Sequence, residues 1–393
     1  MAGSIIVNGA RTPIGKLAGS LAGFSATDLG GFAIAGALAR AGITGEQVDY
    51  VYMGQVLLGG AGQAPARQAA VNGGVPMTTP SAIVNKVCLS GINAIYLADQ
   101  MIASGEADIV VAGGMESMTN APYLLLKARS GYRFGDDTIH DSMIYDGLFC
   151  AFEHCAMGEG TERYAASAGI ARAPQDQLAA ASHERAARAH KDGLFDDELL
   201  PVAIPQRRGD PIMFAADEGV RANTTAESLA SLPAAFTQAG NITAGNASQI
   251  SDGAAAVVVA SKAAVDRLGL APLAEIVGYG QVAGPDPSLL SQPSRAIIRA
   301  VERAGLSIRD IDLFEINEAF AAVAVASMHD LGITGDVCNV NGGAIALGHP
   351  IGMSGTRIVL TLALELRRRG GGLGAAALCG GGGQGDALLL RSI

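Results

Sequence analysis

The chain has no tryptophan, and aromatic residues make up only 5 % of its 393 positions, so small aliphatic side chains must fill any core that forms. Charge is also scarce: 16 % of residues are charged against 49 % hydrophobic, which leaves much interior and little solvated surface. That balance suits a multilayer α/β enzyme, or an oligomer that buries surface. Basic residues are outnumbered 27 to 37, a net charge of −10, which lacks the basic footprint of a nucleic-acid binder. A small anionic ligand stays compatible, because local Arg and Lys can still meet phosphate. Apolar runs are short, and none approaches the ~20 residues that span a bilayer. Met1-Ala2-Gly3-Ser4 leads straight into Ile5-Ile6-Val7 with no basic or long apolar leader, so no membrane association is expected. The five cysteines lie far apart except Cys150 and Cys155, and no Cys-x-x-Cys spacing occurs. Zinc sites and disulfide frameworks are therefore unsupported; no metal is expected, and a cytoplasmic, reducing compartment fits best.

Glycine is what the chain has in excess, 53 residues spread through turns rather than gathered in a tract, which argues against disorder. Strand and helix patterns alternate at both ends of the chain. A strand at Ile5–Val7 precedes a turn over residues 10–15 and a helix from Leu29 to Arg40, entered through Ser25-x-x-Asp28 and closed by Gly42. A buried strand, Ala82 to Val87, is expected to run directly into Cys88-Leu89-Ser90-Gly91 and a helix ending near Ala103. Between residues 122 and 245 strand patterns thin out. The clear helix there, Gln175 to His190, reads as charged and solvated, His183 and His190 included. Alternation then resumes to the end. The interval from Met53-Gly54 to Leu89-Ser90-Gly91 resembles that from Ile316-Asn317 to Met353-Ser354-Gly355, a weak internal repeat. Two copies of one unit would bring the Cys88, His349 and Cys379 turns to one side of the molecule.

Chemistry concentrates at those turns. Cys88 sits at a strand-to-helix junction, where a helix N-terminus favours thiolate; a depression of about two units would make a thiol mostly thiolate at neutral pH. A buried core cysteine is the plain alternative. His349 is the best placed of the six histidines to serve as its base, because it lies in the run Asn341-Gly342-Gly343-Ala344-Ile345-Ala346-Leu347-Gly348-His349-Pro350. His140, His154 and His329 have no special setting. Cys379 ends an apolar strand and is followed by four glycines. Asn317, directly after a strand, could hold a water or an oxyanion, or merely cap a helix.

Val87-Cys88-Leu89-Ser90-Gly91, Asn317-Glu318-Ala319-Phe320, the run around His349 and the run Cys379 to Gly385 together resemble the thiolase family. Arg11-Thr12-Pro13, Gly113-Gly114-Met115-Glu116-Ser117-Met118, Asn246-Ala247-Ser248 and Asp252-Gly253-Ala254 extend the resemblance over nearly the whole chain. The resemblance implies an α/β thiolase fold: two duplicated βαβαβ-type halves in a layered α/β/α/β/α core with an inserted loop domain. The expected division is residues 1–120 plus 246–270 for the first half, 121–245 for the loop domain and 271–393 for the second half. It further implies acetyl transfer between coenzyme A thioesters, two acetyl-CoA giving acetoacetyl-CoA and CoA, with coenzyme A as substrate and no cofactor. Cys88 is then the acylated nucleophile, His349 its base and Cys379 the acid/base at the α-carbon. Asn317 fixes a water, and Gly381 gives an oxyanion N–H with that of Cys88. Arg221, Ser228, Ser248, Met157, Phe236 and Phe320 match coenzyme A positions, while Arg207 and Arg208 read as solvated. A homo-oligomer, dimer or tetramer, is also implied. Two departures stand out: Ala156 before Met157-Gly158, and Gln281-Val282-Ala283-Gly284-Pro285, which keeps only its final Gly-Pro. A degradative 3-ketoacyl-CoA thiolase of broader chain length and a non-catalytic acyl-CoA or lipid-binding relative remain open.

Overall fold

Residues 3–393 are described by the computed structural model. Among the described residues ten strands form one continuous mixed sheet, the short Gly15–Lys16 beside Ser251–Ala260 and nine along its path: β1 (Ile5–Arg11), β2 (Tyr50–Gly54), β3 (Ser81–Val84), β4 (Ile109–Ser117), β5 (Ser251–Ala260), β6 (Ala274–Ala283), β7 (Leu313–Ile316), β8 (Leu373–Gly380) and β9 (Gln384–Ser392). Their spatial order is β7-β8-β9-β6-β1-β5-β4-β2-β3.

Pairing sense reveals a duplication. Strands β3, β2 and β4 run parallel, then β5 and β1 follow antiparallel. In the second half β7 and β8 run parallel, then β9 and β6 follow antiparallel. Even the edge repeats, because Cys338 bridges Phe314 in parallel where β3 lies beside β2. Within the sheet the halves pair at Ile5↔Glu275 and Ile6↔Ala274.

Alternation along the strands builds the layers. Ile109 and Val111 of β4 pack under α1 (Ala26–Ala41) and α2 (Pro65–Asn72), while Val110 and Ala112 face the other way. That second face meets α3 (Ser90–Ala103) and the helix Ser354–Arg368, which also cover Leu378, Leu388 and Leu390 of the second half. The far side of the second half lies under Gln292–Ala304 and Ala321–Leu331. The result is the α/β/α/β/α stack. The insertion adds Met157–Ser167 and Arg172–Lys191, so in chain order the helices are α4 (Met157–Ser167), α5 (Arg172–Lys191), α6 (Gln292–Ala304), α7 (Ala321–Leu331) and α8 (Ser354–Arg368).

At the centre, α3 and α8 touch backbone to backbone at their first turns. A Cβ on Gly91 would lie 2.8 Å from the Thr356 nitrogen, and one on Gly355 would lie 2.3 Å from the Ile92 nitrogen. Only glycine permits that approach. It is this contact that brings the loops entering both helices together.

Several expectations change. The Ser25/Asp28 capping box and Gly42 cap are present. The strand before Cys88 ends at Val84, and all four of its residues are half-exposed because β3 is the sheet edge. The turn expected at residues 10–15 begins later, since β1 extends to Arg11. His183 and His190 are not solvated: His183 is 3 % exposed, and His190 Nε2 lies 2.9 Å from Asp217 Oδ2. Their helix is packed between the rest of the insertion and the second half, against Ala321–Leu331 and Ala344–Leu347, which its composition concealed. No helix among the described residues is long and apolar enough to cross a membrane.

Candidate active site

Cys88 stands on a turn that the backbone would not choose. Val87, a β-branched residue, sits at φ +51°, a left-handed conformation that persists only where neighbours enforce it. Three bonds do so here. Val87 N–H donates to Asn85 Oδ1 (3.1 Å), Lys86 N–H donates to Ser90 Oγ (2.9 Å), and the Ser90 hydroxyl donates to the Val87 carbonyl (2.6 Å).

The His349 loop repeats the device in the second half. The Ser354 hydroxyl donates to the Pro350 carbonyl at 3.0 Å and lies 2.6 Å from His349 Nδ1. Having spent its proton on Pro350, Ser354 must accept from Nδ1–H. The tautomer is thereby set, and Nε2 keeps its lone pair. That nitrogen lies 3.5 Å from Asn317 Nδ2, whose Oδ1 is buried without a partner. Asn317 caps no helix: α7 starts at Ala321 behind Phe320, and the Asn317 backbone N–H is tied to the Ala377 carbonyl instead.

Buried carboxylates hold these loops. Glu116 accepts the N–H groups of Val56 (3.0 Å), Leu57 (3.1 Å) and Gly352 (3.0 Å), tying the first half to the loop after His349. Burial still pushes its carboxyl up to about 7. Glu318 accepts from Ser182 Oγ (2.7 Å), Asn339 Nδ2 (2.9 Å) and the Ile345 N–H (3.1 Å), and so fixes the start of the same loop.

Cys88, His349, Cys379, Gly381, Ser248, Met157 and Phe320 meet around one compartment of about 60 Å³. It adjoins a larger cavity of about 410 Å³ with mostly apolar walls, lined by Met118, Leu148, Ala156 and Phe236 among others. Phe236 and Phe320 meet there edge to face, ring centres 6.2 Å apart. Arg221 and Ser228 are exposed and line neither space. Ser228 is occupied in a capping box with Thr225, and the Arg221 N–H donates to His183 Nδ1 at 3.1 Å. Arg207 and Arg208 are exposed.

The electrostatics overturn the thiolate expectation. Burial pushes the Cys88 thiol up to about 12, against the N–H groups of Cys88 and Gly381 that face its sulfur, with Glu116 adding to the rise. Burial, then Arg357, lowers His349 to about 3. Cys379 is also raised, by burial and by Cys88 beside it. At rest the site therefore holds two neutral thiols and a neutral imidazole. The helix N-terminus is present, but desolvation of the charged form is the larger effect. Among the described residues no group of three His, Cys, Asp or Glu side chains is placed to hold a metal ion.

The family described as Thiolase, N-terminal domain matches residues 4–263, and Thiolase, C-terminal domain matches residues 270–392. The chain belongs to the thiolase family. This thiolase is 59 % identical over 392 residues to a probable acetyl-CoA acetyltransferase of Mycobacterium tuberculosis, covering 100 % of both chains. It is 50 % identical to the acetyl-CoA acetyltransferase of Cupriavidus necator over 98 % of each. Its fold matches the crystal structure of the Bacillus anthracis acetyl-CoA acetyltransferase with a TM-score of 0.97, at 38 % identity, covering 100 % of this thiolase and 99 % of that chain.

Sequence reasoning overlooked Ser354, Glu116 and Glu318. Glu116 carried a signal: a carboxylate inside an otherwise apolar, fully buried strand must have donors waiting for it. Ser354 carried one too, as the counterpart of Ser90 in the internal repeat.

Proposed function

We propose that this chain is an acetyl-CoA C-acetyltransferase, catalysing the reversible Claisen condensation of two acetyl-CoA into acetoacetyl-CoA and free CoA. The observation that carries this reading is the convergence of Cys88, His349, Cys379 and the Gly381 backbone on one small compartment of about 60 Å³. That space suits a short acyl group, since a water-sized group needs roughly 10–15 Å³ by the same measure.

The chemistry follows from two neutral thiols and a base of fixed tautomer. Cys88 Sγ attacks the thioester carbonyl while His349 Nε2 takes its proton. The N–H groups of Cys88 and Gly381 receive the oxyanion. CoA leaves with the proton of Cys379, and Cys379 becomes a thiolate. Its high proton affinity now serves the second half-reaction: it removes an α-proton from the next acetyl-CoA. The imidazolium of His349, with a water on Asn317, stabilises the enolate oxygen. The enolate carbon attacks acetyl-Cys88, and the Cys88 thiolate recovers its proton from His349. Protons balance over the cycle, and coenzyme A enters as thioester and leaves as thiol without a further cofactor.

Ser248, Met157, Phe236 and Phe320 are read as walls for the pantetheine arm. Arg221 and Ser228 are assigned to the outer, exposed part of coenzyme A, and residues 121–245 to the loop domain that carries these contacts. Exposed apolar side chains in that segment, among them Leu125, Leu126, Phe134 and Phe152, favour a homo-oligomer, dimer or tetramer. Five free cysteines favour a reducing compartment such as the cytoplasm.

Intact-mass measurement after mixing with acetyl-CoA should find one acetyl group, mapped to Cys88 and absent from Cys88→Ala. Normal labelling of Cys88→Ala removes the assignment. Ala156 supports a second reading of broader chain length, because its small side chain leaves the larger cavity open. Thiolysis of acetoacetyl-CoA against a longer 3-ketoacyl-CoA separates the two; a clear preference for the longer substrate favours the second.

A further inference from the structure

Lys86 and Asp386 are 300 residues apart in the chain and lie on opposite halves of the fold, yet Lys86 Nζ reaches both carboxylate oxygens of Asp386, at 2.8 and 2.9 Å. The Asp386 side chain is fully buried and that of Lys86 is 21 % exposed. The Tyr279 hydroxyl donates to Asp386 Oδ2 at 2.5 Å and accepts from Asn93 Nδ2 at 3.2 Å. The Tyr279 ring stacks on Tyr96 of α3, with ring centres 4.0 Å apart. One network thus joins the turn before α3, α3 itself, β6 and β9.

Its position relative to the two cysteines is specific. Lys86 bridges Cys88 across the strained turn at Val87. Asp386 pairs with Leu378, the residue before Cys379, and the next rung pairs Cys379 with Gly385. The ion pair therefore joins the residue two before Cys88 to the cross-strand partner of the residue before Cys379. Burying a carboxylate is costly, and a well-packed apolar pair of similar size would often serve stability as well. What an apolar pair lacks is direction. Two charge-assisted bonds to one ammonium fix where the Cys88 turn lies against the hairpin that carries Gly381.

We propose that Lys86 and Asp386 form a positioning clamp that holds the Cys88 sulfur at the Gly381 N–H, with Tyr279 orienting the Asp386 carboxylate. This rests on the reading of Cys88 as the acetylated nucleophile. A clamp of this kind acts on the chemical step, because neither Lys86 nor Asp386 lines the compartment or the apolar cavity.

The test is the rate of Cys88 acetylation by acetyl-CoA, followed by quenched-flow intact mass, in the wild type, Lys86→Met, Asp386→Asn, the double variant, Lys86→Arg and Tyr279→Phe. Each is measured well below its own melting temperature. Lys86→Met and Asp386→Asn should acetylate ~10–100-fold more slowly, the cost of a misplacement near 1 Å, with half-saturating acetyl-CoA little changed. The double variant should be no slower than the worse single variant, Lys86→Arg should recover most of the rate, and Tyr279→Phe, which loses only a hydroxyl, should show a smaller loss of the same kind. Folded single variants that acetylate at the wild-type rate overturn the clamp, as do losses that multiply in the double variant. A wild-type chain that acquires no acetyl group on Cys88 overturns the nucleophile reading instead, so the two failures are distinct.

Discussion

At Cys88 two physical effects oppose each other, and their ranking is testable. The helix N-terminus lowers a thiol, whereas burial raises it, here to about 12. The sign is direct: a thiol whose pKa is raised stays protonated through neutral pH and ionises only in strong base. Alkylation of Cys88 by iodoacetamide should therefore still be rising above pH 9, and a plateau reached below pH 7 would show a thiolate–imidazolium pair. That Cys88, His349 and Cys379 would meet at one compartment was legible in the sequence, because glycine density and strand ends mark places where a side chain is displayed. Their charge states were not, because desolvation depends on what the rest of the chain stacks above them. The glycines after Cys379 divide by the same reasoning. Gly383 is structural, since a Cβ there would lie 2.1 Å from the Asp286 carbonyl oxygen at a φ of +66°. A Cβ on Gly381 meets only Val87, at an ordinary 3.4 Å. Gly381→Val keeps the backbone N–H but puts a branched side chain into the compartment, so it should keep a melting temperature near wild type while turnover falls ~100-fold, the scale of a thioester misplaced by about 1 Å. Normal turnover in that variant rules out a close approach of the thioester to Gly381.

Among the elements, α3 and α8 decide whether there is a site at all. Their N-terminal turns approach through Gly91 and Gly355, and Thr356 Oγ1 donates to the Gly91 carbonyl at 3.2 Å. Gly355→Ala places a methyl group 2.3 Å from the Ile92 backbone, which cannot yield as a side chain could. It should cost about 1–3 kcal/mol or more in urea unfolding, and it should lower acetylation further than that loss accounts for, because both entry turns shift. A fully stable, fully active variant would falsify the contact. The interval repeat made this pairing legible, since Ser90-Gly91 and Ser354-Gly355 occupy equivalent places. Helix α5 was misread for the opposite reason. Its many charges suggested solvent, but Arg185 and Arg188 donate to carbonyls of residues 338–340, and His183 accepts the Arg221 N–H. Charges committed to backbone partners are indistinguishable from solvated ones until the partner segment is known. The edge position of β3 was hidden likewise, because Ala82, Ile83 and Val84 are as apolar as the residues of a central strand.

For the molecule as a whole, Arg11 ties the sheet to the insertion. Fully buried, it binds Glu198 Oε1 at 2.6 Å and both oxygens of Asp217, at 2.7 and 3.0 Å. Burial alone would raise the Asp217 carboxyl, but Arg11 and the His190 hydrogen bond outweigh it and hold the group well below the usual carboxylate range. A carboxylate pKa lowered by folding stabilises above its unfolded value, ~3.9 for Asp, and that contribution fades as pH falls through the folded value. Arg11→Met leaves two buried carboxylates without their cation and should cost about 3–5 kcal/mol at pH 7. The penalty should shrink at pH 4, where the variant can protonate them. Urea melts of both proteins at the two pH values check this, and a penalty that grows in acid contradicts it. The seam at Ile5–Ile6 and Ala274–Glu275 has a different consequence. Cys88 lies on one side of it, and Asn317, His349 and Cys379 lie on the other, so each repeat carries an incomplete reagent set. Neither half alone holds every group that lines the compartment, so that space exists only where the two repeats are joined.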